Sequence, residues 1–114
     1  VENYLQYQGE KFLKRFDANT YLILKKALSY FDLKNRFGSI KKAFKQSECD
    51  FLIVAMTSDW LYTPKQSQLL AKALMQLNKN VSYTEIDSHE GHDGFLKENH
   101  LLQQSLSAFL KRLL

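Results

Sequence analysis

The first part of the chain places apolar residues at the spacing of amphipathic helices. Within residues 18–33 they recur every three or four positions, the period of an α-helix, at Tyr21, Leu24, Leu28 and Phe31. Asp17 or Asn19 can accept hydrogen bonds from free backbone amides at the start and cap this helix. A less regular stripe precedes it. The pattern predicts two helices, a turn and a short helix, at 2–16, 18–33, 34–39 and 40–46.

A different pattern governs the second half of the chain. Residues 51–56 form a continuous apolar run that is short and partly β-branched, typical of a strand buried on both faces of a parallel sheet. Thr63 followed by Pro64 is a favourable helix start. Residues 81–86 predict a second, less apolar strand, and residues 95–113 a last helix. Strand, helix and strand in this order form a βαβ unit, so the two strands are expected to be parallel.

Residues with catalytic potential follow both predicted strands. Asp59 lies just past the first strand and His92 just past the second. Ligands bind beyond the carboxyl ends of parallel strands, where these two loops are expected to converge. A carboxylate that accepts from one imidazole nitrogen leaves the other nitrogen as a base, and Asp before His is the order in α/β-hydrolases. The alternative is that Asp59 caps a turn and His92 is an ordinary loop histidine.

No nucleophile accompanies this pair. The chain has four glycines, and they do not form the G-x-S-x-G turn that exposes a catalytic serine. Ser39 follows a glycine but lacks the preceding strand, and Ser58 is expected to cap a turn. A metal site is a weaker alternative: residues 88–93 are rich in ligand atoms, yet they do not form H-E-x-x-H and contain a glycine typical of a loop. We therefore expect no metal.

Composition limits the partners and the location. The net charge of +4 permits an acidic partner, but the lysines are scattered over helical segments, which favours solvated helix faces over nucleic-acid binding. Neither a long apolar run nor a signal-peptide pattern occurs, so no membrane association is expected. The single Cys49 excludes an internal disulfide and, because it precedes an apolar run, is expected to be buried. These features predict a cytoplasmic protein.

Three blocks of sequence carry a family resemblance. The first is Y-L-x-Y-Q-G-x-K-F at 4–12, continued by R-F-D-A-N-T-Y-L at 15–22. The second is S-D-W-L-Y-x-P-x-Q at 58–66, and the third is G-H-D-G-F-L at 91–96. Together and in this order they resemble the homoserine O-acetyltransferases, acyltransferases of the α/β-hydrolase fold. Close relatives that use succinyl-CoA, or that acylate serine, share much of the pattern.

The resemblance implies a fold and a set of site residues. The fold class is α/β: residues 47–114 would be the C-terminal part of an α/β-hydrolase core, with a parallel βαβ unit and a C-terminal helix, and residues 1–46 would be lid helices. Asp59 matches the catalytic aspartate and His92 the catalytic histidine. Asp93 matches an aspartate that contacts the amino acid substrate. The family's serine nucleophile, oxyanion hole and carboxylate-binding arginine belong to upstream sequence.

The resemblance also implies a reaction. Acetyl-CoA would donate an acetyl group to a serine, and the hydroxyl of L-homoserine would then accept it, a step of methionine biosynthesis. No bound cofactor is expected, and the lid helices would form a homodimer. The chain alone is expected to be inactive without the serine. The alternatives are an inactive remnant that acts as a helical dimerisation module, the succinyl- or serine-specific relatives, and a hydrolase that uses water.

Overall fold

The computed structural model describes residues 1–97 and 100–114. These residues form two compact units, Val1–Arg36 and Phe37–Leu114. The predicted functional division between residues 46 and 47 lies inside the second unit. That division concerns the roles of lid and core, and it stays a prediction.

Helices make up the first unit. Helix α1 spans Glu2–Leu13 and helix α2 spans Ala18–Tyr30, both shorter than predicted. Of the two predicted caps, Asp17 is the one used, since its carboxylate accepts from the Thr20 amide at 2.9 Å. The Phe12 ring stacks on Phe16 at 5.3 Å and meets Tyr21 edge-on at 5.4 Å. An aromatic cluster therefore holds the end of α1 against the start of α2.

A short helix replaces the turn predicted for residues 34–39. The backbone of Phe31 is extended, which ends α2. The carboxylate of Asp32 then accepts from the amides of Lys34 and Asn35 at 2.7 and 3.2 Å. These bonds cap a new helix, α3, over Leu33–Phe37. The turn prediction was wrong here because it overlooked Asp32 as a helix cap.

A parallel pair of strands forms the centre of the second unit. Strand β1 spans Phe51–Met56 and strand β2 spans Val81–Ile86, in register from Phe51 opposite Val81 to Met56 opposite Ile86. Both strands and their parallel pairing agree with the sequence prediction. The burial predicted for β1 is only partly found, because Ala55 and Met56 are buried and its first four residues are half-buried.

Helices α4 and α5 pack beside the strands. Helix α4 spans Ile40–Phe44 and contacts helix α5, which spans Pro64–Met75. The Phe44 ring meets Phe51 of β1 edge-on at 5.8 Å. This packing explains why α4, predicted as part of the lid, lies within the second compact unit. Among the described residues, the buried apolar ones are Ala71 and Leu74 of α5 together with Ala55, Met56 and Ile86.

Cys49 is exposed, which corrects its predicted burial. It lies in the bend between α4 and β1, and its sulfur lies 3.1 Å from the Ser47 hydroxyl. The apolar run that suggested burial begins only at Phe51, so the thiol precedes the strand and does not share its cover.

The last predicted helix, 95–113, is divided in the structure. Gly91–Leu96 form a 3-10 helix, and helix α6 spans His100–Leu113. Residues 98–99 of the predicted helix lie outside the described residues. Arg112 of α6 donates to Ser82 of β2 at 3.1 Å. The described ranges contain no helix that is long and apolar enough to cross a membrane.

The architecture confirms an α/β chain with a parallel strand pair. The strands end at one edge, and the loops that follow them carry Asp59 and His92. The wider α/β-hydrolase fold stays a prediction.

Candidate active site

Asp59 is held by the turn that follows β1. Its amide donates to the Met56 carbonyl at 3.1 Å, and the residue is only 8% exposed. Oxygen Oδ1 accepts from the amides of Leu61 and Tyr62 at 2.8 and 2.9 Å. Oxygen Oδ2 lies 2.9 Å from Nδ1 of His92. The backbone therefore orients the carboxylate, and one oxygen remains for the imidazole.

These contacts determine the charge of Asp59 and the tautomer of His92. The hydrogen bond from His92, followed by that from the Tyr62 amide, holds the pKa of Asp59 below its ordinary value of 3.8, although burial opposes this. Asp59 is thus ionised at neutral pH and can only accept hydrogen bonds. Nδ1 of His92 consequently carries the proton in this bond. In neutral imidazole this leaves Nε2 with a free lone pair, the arrangement that a general base requires.

Aromatic rings contact the imidazole on two sides. The Tyr62 ring centroid lies 5.2 Å from that of His92 at 49°, and the Phe95 centroid lies at 5.9 Å and 66°. The His92 side chain remains 36% exposed. Asp59 and His92 line a cavity of about 220 Å³ together with Val54, Ala55, Met56, Tyr62, Ser67, Phe95 and Leu102. The aspartate–histidine pair is therefore accessible from a mainly apolar cavity.

Two hydroxyl groups join the loop after β1 to the loop after β2. Ser58 Oγ accepts from the Gly91 amide at 2.9 Å. Thr57 Oγ1 donates to Asp87 Oδ1 at 2.9 Å and accepts from the Ser88 amide at 3.0 Å. Ser58 was expected to cap its own turn, but its hydroxyl reaches the other loop. The sequence signal that could have indicated this is a pair of hydroxyl residues at the carboxyl end of a strand in a βαβ unit.

Two glycines shape the segment that carries His92. Gly91 has φ +65°, the left-handed region that glycine adopts without strain. Gly94 is buried, and a Cβ atom there would lie 3.0 Å from Ser88 Oγ and 3.6 Å from Met56 Cγ. At Gly94 the 3-10 helix therefore passes so close to Ser88 that an added side chain would require a shift, whereas the distance to Met56 of β1 is an ordinary contact.

Asp93, the predicted substrate contact, is exposed next to His92. It is not among the described residues that line the cavity shared by Asp59 and His92. The structure thus brings Asp59 and His92 together and leaves Asp93 at the surface beside them. The role of Asp93 stays a prediction.

The weaker alternative of a metal site finds no supporting cluster. Within residues 1–97 and 100–114, no three side chains of His, Cys, Asp or Glu gather in a way that could hold an ion. Two side chains of the ligand-rich segment 88–93 have other partners. His92 pairs with Asp59, and Glu90 forms an ion pair with Lys97.

The chain is similar to part of several proteins named homoserine O-succinyltransferases. No protein-family model matches the chain. It is 48% identical over 114 residues to the homoserine O-succinyltransferase of Saccharophagus degradans, covering 98% of this chain and 30% of that protein. It is 50% identical over 111 residues to that of Acinetobacter baumannii, covering 96% of this chain and 29% of the other. That of Acinetobacter baylyi is 48% identical over the same length, with the same coverage.

The chain therefore spans about 30% of the length of the curated relatives that it matches. The similarity supports the homoserine acyltransferase family. These relatives are named homoserine O-succinyltransferases, whereas the sequence blocks resemble the homoserine O-acetyltransferases. Acetyl specificity is not confirmed.

Proposed function

We propose that the chain supplies the catalytic aspartate and histidine of a homoserine O-acyltransferase. The observation that carries this proposal is the 2.9 Å hydrogen bond between Asp59 Oδ2 and His92 Nδ1, located where two parallel strands end. The relatives named homoserine O-succinyltransferases, about half identical to the chain, support the choice of acceptor. The nucleophilic serine comes from the remainder of the full-length protein.

In the first half-reaction, Nε2 of His92 removes the proton of the serine hydroxyl. The serine oxygen attacks the thioester carbon of acyl-CoA, the carbon–sulfur bond breaks, and the protonated imidazole returns its proton to the departing CoA thiolate. Asp59 stabilises the imidazolium that forms in between, because its ionised oxygen accepts the Nδ1 proton. The product is an ester of the serine and the acyl group.

In the second half-reaction, Nε2 removes the proton of the homoserine hydroxyl. The homoserine oxygen attacks the acyl-serine ester, the bond between the serine oxygen and the acyl carbon breaks, and His92 protonates the serine. Asp93, exposed beside His92, binds the ammonium of homoserine in this proposal. The apolar residues around the cavity, among them Val54 and Phe95, disfavour water as a competing acceptor.

For the donor we propose succinyl-CoA, since the relatives at 48–50% identity carry that name. Acetyl-CoA, suggested by the sequence blocks, is the alternative. Both donors present the same thioester to the serine, so Asp59 and His92 perform the same proton transfers with either. Residues other than Asp59 and His92 recognise the acyl chain.

The test is product analysis with the full-length protein encoded by the source gene. The protein is incubated with L-homoserine and either succinyl-CoA or acetyl-CoA, and the acylated amino acid is identified by mass spectrometry. We expect O-succinylhomoserine at the higher rate and, when homoserine is omitted, CoA release that stops at about one equivalent per active site, the amount that acylation of the serine produces. O-acetylhomoserine as main product would correct the donor. Preferential acylation of L-serine when it is supplied in place of homoserine, or CoA release that continues with no amino acid present, would contradict the function.

A further inference from the structure

One hydrogen bond joins the two loops directly beside the aspartate–histidine pair. Ser58 precedes Asp59 in the chain, and Gly91 precedes His92. The Gly91 amide donates to Ser58 Oγ at 2.9 Å in a partly buried position, and His92 Nδ1 pairs with Asp59 Oδ2 at the same distance. The two bonds thus link successive residues of one loop to successive residues of the other.

The hydrogen bond from the Gly91 amide to Ser58 restrains a flexible point of the backbone. Gly91 has a φ of +65°, which lies in the left-handed region, and glycine adopts positive and negative φ about equally readily, so its backbone is less restricted than that of other residues. It begins the 3-10 helix Gly91–Leu96, and the first amides of a helix have no partner within the helix. Ser58 Oγ supplies the acceptor for this amide. Rotation at Gly91 would move the whole His92 residue, so the bond limits the position of the imidazole.

We propose that Ser58 is a positioning residue whose hydroxyl holds the Gly91 amide and thereby aligns His92 Nδ1 with Asp59 Oδ2. Ser58 acts through Gly91 and does not touch the reacting atoms. Its effect on turnover rests on the proposed function, whereas its effect on the Asp59–His92 hydrogen bond holds for any reaction that the pair catalyses.

The kinetic test compares four variants of the full-length protein. Ser58→Ala removes the acceptor, and Ser58→Cys keeps nearly the same volume but offers a weak acceptor. Ser58→Thr keeps the hydroxyl and serves as the rescue. Ser39→Ala is the matched control, because the Ser39 hydroxyl accepts from the Lys42 amide at 3.1 Å at the start of α4, away from the pair.

Loss of alignment should lower kcat and leave the KM for homoserine nearly unchanged. We expect kcat to fall about ten- to a hundredfold in Ser58→Ala, since small displacements of catalytic groups have effects of this size. Ser58→Cys should fall between Ser58→Ala and the parent. Ser58→Thr and Ser39→Ala should stay close to the parent. A folded Ser58→Ala or Ser58→Cys variant with parental kcat would overturn the proposal.

The second readout is the proton on His92 Nδ1, followed by NMR of histidine labelled with nitrogen-15. A strong bond to Asp59 shifts this proton far downfield, and the signal is assigned by its loss in His92→Gln. It should weaken or disappear in Ser58→Ala and Ser58→Cys and persist in Ser58→Thr and Ser39→Ala. Its persistence in a folded Ser58→Ala or Ser58→Cys variant would overturn the positioning role.

The two readouts separate this inference from the function on which its kinetics rest. A full-length protein that acylates no homoserine, but loses the Nδ1 proton in Ser58→Ala and Ser58→Cys, would retain the positioning role and refute the proposed function. An active protein whose Ser58 variants keep both the parental turnover and the Nδ1 proton would support the proposed function and refute the positioning role of Ser58. Failure of both variants to fold, while Ser39→Ala folds, would show a structural role and overturn the proposal.

Discussion

At the scale of single residues, the two oxygens of Asp59 have different tasks. Oδ1 accepts from the amides of Leu61 and Tyr62, so the turn itself fixes the carboxylate plane. Oδ2 is then directed at His92 Nδ1. The imidazole ring lies against Tyr62 and Phe95, which restrict its rotation. Orientation by backbone amides on one side and by aromatic rings on the other is what preorganises the pair.

Asp59→Asn should leave the fold intact and nearly abolish turnover. The amide nitrogen of asparagine can donate to Nδ1, which stabilises the imidazole tautomer that carries its proton on Nε2 and cannot act as the base. We expect kcat to fall by about four orders of magnitude. Asp50→Asn, a change of the same kind at an aspartate that accepts from Asn80, should retain parental kcat. Circular dichroism checks the fold, and a loss of less than tenfold would contradict the assignment.

Asp93→Ala should affect the acceptor and spare the donor. A contact between a carboxylate and the homoserine ammonium is a charged hydrogen bond, so its loss should raise the KM for homoserine about tenfold or more. Acyl-enzyme formation from acyl-CoA in a single turnover should persist. Asp93→Asn, which keeps the shape without the charge, should behave similarly. Slowed acyl-enzyme formation with an unchanged homoserine KM would assign Asp93 another role.

The sequence could predict that Asp59 and His92 lie together at the strand ends, whereas their catalytic role and the substrate contact of Asp93 stay predictions. Both follow strands, and strand ends can be located from an apolar run. The bond between Ser58 and Gly91 could not be predicted in the same way, because it depends on how two loops 33 residues apart meet in space. The contact between Tyr62 and His92 depends on the same meeting of two loops.

At the scale of secondary-structure elements, the strands are the best-predicted part of the chain. Residues 51–56 and 81–86 agree with β1 and β2 because turn residues bound each run. The start of the short α3 is capped by one side chain, Asp32. The pattern of apolar residues does not predict this cap. The 3-10 helix Gly91–Leu96 was missed because its glycines indicated a loop, whereas Gly94 lets this segment pass close to Ser88.

Gly94→Ala should destabilise the segment that holds His92. The added methyl group would lie 3.0 Å from Ser88 Oγ, which itself accepts from the Glu90 amide. Overpacking of this kind costs about 1–3 kcal/mol of unfolding free energy. Ser88→Ala in the same protein should recover part of the loss. Urea denaturation of the full-length protein measures both effects.

The matched control is Gly9→Ala in α1, where nothing lies within 4 Å of the added methyl group. Alanine is favoured over glycine within helices by about 0.5–1 kcal/mol, so this variant should be as stable as the parent or more so. Equal stability of Gly94→Ala and Gly9→Ala would show that the 3-10 helix can shift to admit a side chain.

At the scale of the whole molecule, the described residues bury few apolar side chains. The buried apolar set is Ala55, Met56, Ala71, Leu74 and Ile86. Two paired strands are marginal as an independent sheet. Measurements of activity and stability therefore belong on the full-length protein. The sequence could predict the parallel pair from its own strands, but the described residues contain no further strand beside that pair, so the hydrolase fold stays a prediction.

Stability should depend on the ionisation of Asp59. The folded state lowers the pKa of Asp59, chiefly through the hydrogen bond from His92, so it favours the charged carboxylate. The resulting stabilisation is present above the ordinary value of 3.8 and is lost as the pH falls through the lower, folded-state pKa. Asp59→Asn lacks this contribution. Its urea midpoint should differ from the parental one near neutral pH and converge with it in acid, and a difference that does not change with pH would contradict the linkage.

A double-mutant cycle on the rate of O-acylhomoserine formation tests most directly whether Asp59 and His92 act as one catalytic pair. The full-length parent is compared with Asp59→Asn, His92→Gln and the double variant. Asp59 is proposed to act only through His92, so the double variant should be no slower than His92→Gln alone, as for residues that act as a unit. Losses in the double variant that equal the product of the two single losses would mean independent roles and contradict the account.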